Sequence, residues 1–281
     1  MTINPDGHSI KGCSLIYAPA GQAGEYAKLA CNPYRGCGHA CVYCYVPSVL
    51  QMSRTEFDAG AIPRSNFIQK LTAESRKYQA AGITEQVMLS FTTDPYHPGD
   101  TSLTRETLKV LQAHGLGICT LTKGGTRALR DIDLFRPERD AFASTLTSLN
   151  DAVSLEWEAK AALPQDRLKA LKAFHDAGIF TWVSLEPVYD TDASLEIIRR
   201  SHEFVSLYKI GRINYHRKGR EINWEEFTRK AVALFAELGA AHYVKKDLQP
   251  FLPAGYSNPK YINQANGTPG ASVQGVGGLL F

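Results

Sequence analysis

The stretch Cys31-Asn32-Pro33-Tyr34-Arg35-Gly36-Cys37-Gly38-His39-Ala40-Cys41-Val42-Tyr43-Cys44-Tyr45 decides the reading of this chain. Its last three cysteines form a C-x3-C-x2-C triplet, and four of the six cysteines in the chain lie in the fourteen residues from Cys31 to Cys44. Cysteines so few and so clustered suit metal binding better than a disulfide framework. Gly36 and Gly38 let the backbone wrap tightly. Cys13 and Cys31 read as structural thiols, and Cys119 has no assigned role.

Three thiolates on one short loop hold three irons of a 4Fe-4S cubane and leave the fourth iron open for another ligand. Ligation by four cysteines is the usual electron-transfer arrangement. The alternative is zinc, which favours two C-x2-C or C-x2-H pairs separated by a longer stretch. No second C-x2-C pair exists here, and His39, the candidate fourth ligand, lies inside the loop.

Outward from the loop the sequence alternates between strand and helix patterns. Strands are predicted at 28–31, 87–91, 117–122, 141–149, 179–185, 205–210 and 241–244. Helices are predicted at 42–52, 64–81, 103–114, 128–135, 166–176, 193–202 and 224–238, several stopped by glycine. Repeated βα units imply a parallel sheet with helices outside. About six units favour a partial (β/α)6 TIM-like barrel, an α/β fold, over a closed eight. One domain spans residues 1–254, and the Gly-, Asn- and Pro-rich tail, 255–281, is expected to be irregular.

The 44% hydrophobic content supplies a full core, and a net charge of +3 is too weak to demand a nucleic-acid partner. No apolar run approaches the length of a membrane span and no leader peptide is evident, so no membrane and a cytoplasmic location are the expectation.

In a parallel barrel, functional groups gather at the C-terminal ends of strands. Those ends carry Thr92, Thr93 and Asp94, then Lys123, Ser148 and Asn150, Glu186, Lys209 and Arg212. Arg167, in the first turn of a helix, is a candidate bidentate carboxylate clamp. Glu156 near it reads as a surface charge. Plainer readings stand beside these: an Asp-Pro turn for Asp94, a solvated cation for Lys123, and a helix-end charge for Glu186.

The segment from Asn32-Pro33-Tyr34-Arg35-Gly36-Cys37 to Cys44-Tyr45 resembles the cluster loop of radical S-adenosylmethionine (SAM) proteins. Within them it is most similar to the group related to spore photoproduct lyase, often described as DNA repair photolyase-like. The resemblance weakens beyond the loop and reaches about Leu248. It implies a partial barrel, a 4Fe-4S cluster on Cys37, Cys41 and Cys44, and SAM on the open iron. It implies a lyase-type or related radical reaction, with a flavodoxin or ferredoxin as electron donor. Thr92, Thr93 and Asp94 fall where such proteins meet the SAM amino group, Lys123 where they meet its carboxylate, and Ser148 and Asn150 where ribose contacts are expected. Arg167 and Glu186 complete the implied cofactor set. Tyr43 and Tyr45 match tyrosines implicated in hydrogen-atom return, with packing as their plainer role. The chain departs from the lyase at Phe91, where the lyase carries a hydrogen-donor cysteine. Nucleic acid is a candidate partner through Arg212, Arg217, Lys218, Arg220, Lys245 and Lys246, and Lys209 and Asn214 are candidate anion contacts. A protein, peptide or small metabolite is the alternative substrate.

Overall fold

The computed structural model describes residues 2–259. Seven parallel strands form one sheet: Leu29–Cys31 (β1), Gln86–Leu89 (β4), Gly117–Thr122 (β5), Ala141–Thr145 (β6), Phe180–Val188 (β7), Leu207–Arg212 (β8) and His242–Val244 (β9). Their spatial order follows chain order, β1-β4-β5-β6-β7-β8-β9. Tyr34–Arg35 (β2) and Ile62–Pro63 (β3) form a separate antiparallel pair beside the sheet. Six crossovers therefore join the strands, as the six expected units require, and β9 follows as the last strand. β1 and β9 do not pair with each other, so the barrel is partial.

The helices are Val46–Leu50 (α1), Arg54–Asp58 (α2), Phe67–Ala80 (α3), Ser102–Ala113 (α4), Asp151–Trp157 (α5), Pro164–Asp176 (α6), Thr191–Ser201 (α7) and Trp224–Leu238 (α8). Local sequence explains their limits. In α8, Asn223 accepts a hydrogen bond from Glu226 N at 3.1 Å, and Gly239 ends the helix at φ +61°. In α6, Pro164 occupies the first turn, where its missing N–H costs nothing, so the helix starts two residues before the expected Asp166. In α4, Thr104, Thr107, Leu108 and Leu111 form one buried stripe at helical spacing. The segment expected as a helix at 128–135 is a 3-10 turn over Gly125–Leu134. Tertiary ties fix it at both ends: Asp166 accepts from Thr126 N and Oγ1, and Arg105 pairs with Asp131 and Asp133.

Strand alternation sorts side chains to two faces. Leu29, Val87, Leu89, Ile118, Phe142, Val183, Leu185, Tyr208, Ile210 and Val244 point outward and pack under the helices. There Phe142 stacks on Phe174 with centroids 3.8 Å apart, and Phe135 meets Phe174 edge-on at 4.8 Å. Each such ring contributes about 1.5–3 kcal/mol by burial. The inner face is smaller: Ala30, Met88, Cys119, Ala141, Ala143, Trp182 and Leu207. Its alanines leave room for Tyr26, which packs against Phe91 at 6.1 Å and Trp182 at 5.8 Å.

The segment before β1 spans the gap between β1 and β9. Tyr17 exchanges backbone hydrogen bonds with Ala30 at 3.0 and 2.8 Å. Glu25 accepts from Tyr243 Oη at 3.0 Å and Lys246 N at 2.8 Å. Past β9, the Asn258 side chain bonds both N–H and C=O of Val244. The tail predicted from residue 255 lies outside the described residues from 260 onward. Among the described residues, no helix is long and apolar enough to cross a membrane.

Candidate functional site

The cysteine loop leaves the C-terminal end of β1 and is built by backbone constraints. Gly36 has φ +82°, and a Cβ there would lie 2.4 Å from Gly60 O, so only glycine fits. Cys37 N donates to Phe57 O at 2.9 Å, which folds the return segment onto the loop. Ser53 caps α2 by accepting from Glu56 N, and Arg54 of that helix donates to Cys41 O at 2.9 Å and Cys44 O at 3.4 Å. The helix expected over 42–52 begins only at Val46, because residues up to Cys44 are held in this loop. From β4, the Thr93 hydroxyl donates to Gly36 O at 2.6 Å.

Cys37, Cys41 and Cys44 all carry free thiols. Cys37 and Cys44 pack against Val46, Met52 and Phe57, and Cys41 is 8% exposed. Burial pushes the Cys41 thiol up to about 12 and that of Cys37 to about 11, and the other cysteines of the loop push in the same direction. Such thiols carry full negative charge only when a cationic group binds them. Among the described residues no three His, Cys, Asp or Glu side chains converge on a single ion. Three thiols match three irons of a polynuclear cluster, whereas one structural zinc asks for a fourth ligand. His39 also leaves the zinc set. Its Nδ1 faces Asp94 at 3.3 Å, and its Nε2 faces Arg127 at 2.9 Å. Arginine only donates, so Nε2 accepts and Nδ1–H points to Asp94.

Asp94 is a clasp at the β4 and β5 ends. Its oxygens accept from Tyr96 N at 2.8 Å, Lys123 N at 2.7 Å and Thr122 Oγ1 at 2.5 Å, besides His39. Burial opposes ionisation, but the His39 ring and these donors outweigh it and hold the carboxyl well below its usual range. A carboxylate so held organises the site through bonds within the chain. Thr92 differs: its N–H donates to Asn32 Oδ1 at 3.0 Å, while its buried hydroxyl has no partner among the described residues.

A second segment straps the loop from the other side. Cys41 pairs with Glu158 across an isolated antiparallel bridge. Val42 N donates to Trp157 O, Lys160 N to His39 O, and Ala162 N to Lys123 O. The Glu158 carboxylate accepts from Tyr43 Oη and pairs with Arg167 at 2.5 Å. Arg167 is 1% exposed and also donates to Ala162 O at 2.7 Å and Thr145 O at 3.0 Å. Its guanidinium is thus held by partners within the chain, and its bond to Thr145 O sits where β6 ends, short of the expected Leu149. Glu158 had no sequence signal of its own, since nothing marks a lone glutamate as paired with residues 115 positions away. Lys123 lies 5.6 Å above the Tyr43 ring. Burial would lower its pKa, but the neighbouring Cys41 and Glu158 more than offset that and raise it.

The remaining candidates divide. Asn150 caps α5 by accepting from Val153 N at 3.1 Å, and Ser148 accepts from Asn150 N at 3.0 Å, so both shape a helix start. Tyr43 is held by Glu158, and Tyr45, 54% exposed, opens α1. Glu186 sits at the barrel mouth, where one oxygen accepts from Lys245 Nζ at 2.5 Å and from Tyr26 Oη. Lys209 is buried below it and donates to the carbonyls of Glu25 and Tyr26. Arg212 lies 5.8 Å from the rings of both Trp224 and Phe251, and Asn214 donates to Asp247 at 2.8 Å. Phe91 joins the inner-face cluster with Tyr26.

Comparisons place this geometry among known proteins. The Radical SAM superfamily profile matches residues 31–205, more than half of the chain. Uncharacterized proteins of Mycobacterium tuberculosis and Mycobacterium bovis are 31% identical over 172 residues, covering 56% of this chain and 48% of theirs. An uncharacterized protein of Methanocaldococcus jannaschii is 26% identical over 188 residues, covering 65% and 69%. The chain thus spans about half the length of the mycobacterial relatives. Among solved structures, a spore photoproduct lyase variant superposes with TM-score 0.64 at 12% identity, covering 84% of this chain and 79% of the other. Streptococcus suis SuiB bound to S-adenosylmethionine gives TM-score 0.58 at 10% identity, covering 77% and 49%. These likenesses show the fold. With the matched profile and the cysteine loop at the mouth of a parallel partial barrel, they establish that the chain belongs to the radical SAM superfamily.

Proposed function

We propose that the protein is an enzyme that holds a 4Fe-4S cluster on Cys37, Cys41 and Cys44 and uses it with SAM to abstract hydrogen from a substrate. The observation that carries this is the three-thiol loop, pinned by Gly36, Arg54 and the 157–162 strap at the C-terminal end of a parallel sheet. When bound there, the two groups supply reductive cleavage of the SAM sulfonium and a 5'-deoxyadenosyl radical. The chain's own residues bind and orient. Lys123 offers a positive charge to the cofactor carboxylate, the unpartnered Thr92 hydroxyl offers a donor and acceptor, and Glu186 offers its second oxygen. Asp94, Thr93 and Arg167 keep the walls fixed through their own bonds.

For the substrate we favour nucleic acid or a nucleotide. Support comes from the likeness to spore photoproduct lyase, of which one structure carries a dinucleoside spore photoproduct. The loop after β8 carries Arg217 and Lys218, but the cleft of about 510 Å³ that they line with Val42 and Trp157 also holds Glu156, Asp190 and Glu221, so the support is the likeness to the lyase and not the charge of the cleft. Phe91, which stands where the lyase has a donor cysteine, favours a second reading, in which the same radical acts on a protein, peptide or small metabolite. A flavodoxin or ferredoxin is the proposed electron source.

Anaerobic reconstitution with iron, sulfide, reductant and SAM is expected to give 5'-deoxyadenosine. Absence of that product in protein carrying its full iron content would sink the enzymatic reading. Oligonucleotide binding is expected to weaken steeply with added salt. Binding that ignores salt, or no binding at all, shifts the substrate to the second reading.

A further inference from the structure

We propose that Lys123 and Glu158 set the reduction potential of the cluster in opposite directions, through Cys41. This rests on the cluster reading given above and adds to it a pair of residues that tune the centre without ligating it.

Two opposite charges belong to the assembly around Cys41 and Tyr43. Glu158 is the partner of Cys41 across the antiparallel bridge, which brings the two backbones within roughly 4.5–5.5 Å. The Glu158 side chain is fully buried, with Arg167 on one oxygen and the Tyr43 hydroxyl on the other. Arg167 reaches away, to the carbonyls of Thr145 and Ala162, so the negative member of the ion pair is the one across from Cys41. Lys123 belongs to the same assembly. Its carbonyl is tied to Ala162 N of the strap, its N–H to Asp94, and its ammonium stands over the Tyr43 ring. Among the described residues no carboxylate lies within ion-pair distance of that ammonium.

Reduction adds one electron to the metal centre and nothing else. A buried cation beside a ligating sulfur favours the reduced form, and a buried anion favours the oxidised form, because neither charge is well screened there. Glu158 therefore holds the potential down and Lys123 holds it up. Arg167 limits the effect of Glu158 and keeps its charge from standing alone in the interior.

The test is an anaerobic dithionite titration of reconstituted full-length protein, without SAM, followed by the electron paramagnetic resonance signal of the reduced cluster. Lys123→Met is expected to cut the reduced-to-oxidised ratio at a fixed poise about tenfold, a shift of about 59 mV for a one-electron couple. Glu158→Gln is expected to raise the ratio by a similar factor, and Glu158→Gln with Arg167→Gln to fall between that variant and wild type. Ratios within about twofold of wild type in both single variants, or shifts of the same sign, overturn the proposal. If Glu158→Gln does not fold, Lys123→Met decides alone: the expected fall supports the assignment and an unchanged ratio overturns it. A wild-type protein that takes up no iron and sulfide overturns the cluster reading and the proposal with it, which separates the two failures.

Discussion

The two sides of the barrel mouth are built differently. On the β1, β4 and β5 side, polar groups are spent on the backbone: Asp94 on Tyr96 N and Lys123 N, Thr93 on Gly36 O, Arg54 on Cys41 O. On the β7, β8 and β9 side, the carboxylate at the mouth is held by side chains, with backbone bonds only below it at Lys209 and Glu25. Lys245 and Tyr26 converge on Glu186, and Ser184 donates to Tyr26 Oη. Backbone-anchored loops tolerate few substitutions, whereas a cluster of side chains can be rewritten one residue at a time. The first side is thus suited to a fixed cofactor, and the second to the part of the reaction that differs between family members.

The contrast can be broken most severely at Cys41. Cys41→Ala is expected to abolish the brown visible absorbance of reconstituted protein while leaving the far-ultraviolet circular dichroism unchanged. Retained absorbance would refute the ligand assignment. Next in size is Lys245→Met, which leaves the Glu186 charge without its 1%-exposed cation. A loss of about 3 kcal/mol in urea unfolding is expected, with iron content close to wild type. If iron is lost in step with stability, the two sides are not independent.

A smaller effect is expected at Gly36. Gly36→Ala must accept a left-handed backbone, at roughly 1–2 kcal/mol, and must also displace Gly60 O. It should lower iron retention during gel filtration, and full retention would mean that the loop relaxes freely. The smallest effect is confined to acid. The folded pKa of Asp94 is depressed below its ordinary 3.8, so its stabilisation is complete above that value and is lost as pH falls below it. Asp94→Asn should flatten the fall in stability below about pH 4 and leave the slope between pH 5 and 7 as in wild type. An unchanged acid limb would move the role to another carboxylate.

The sheet order and the cysteine loop were legible because both rest on local signals. Apolar runs of strand length ended in turn residues, and the cysteine spacing stood apart from the rest of the composition. The strand ends were legible as positions and less so as roles. Asp94 and Asn150 make local turn and cap bonds of a kind that sequence announces, whereas the long-range partners of Asp94 and Arg167, His39 and Thr145 O among them, are announced by no spacing. Glu158, His39 and Tyr26 act through contacts across 115, 55 and 160 positions respectively, visible only once the chain has folded. The 3-10 turn over Gly125–Leu134 failed as a predicted helix for the same reason, since its form is set by Arg105 and Asp166 from elsewhere.

The two residues that bond the outer strands have a consequence for what the margins of the sheet can pair with. An open sheet presents a row of unpaired N–H and C=O groups along each free margin, a template on which another chain can lengthen the sheet. Tyr17 occupies that row on β1 by taking both backbone groups of Ala30, and the Asn258 amide does the same on β9 at Val244. Each acts as a strand one residue long. A chain lacking its first 28 residues would keep most of its core and expose the β1 margin, so its expected failure is intermolecular β-sheet and precipitation well before loss of helix content.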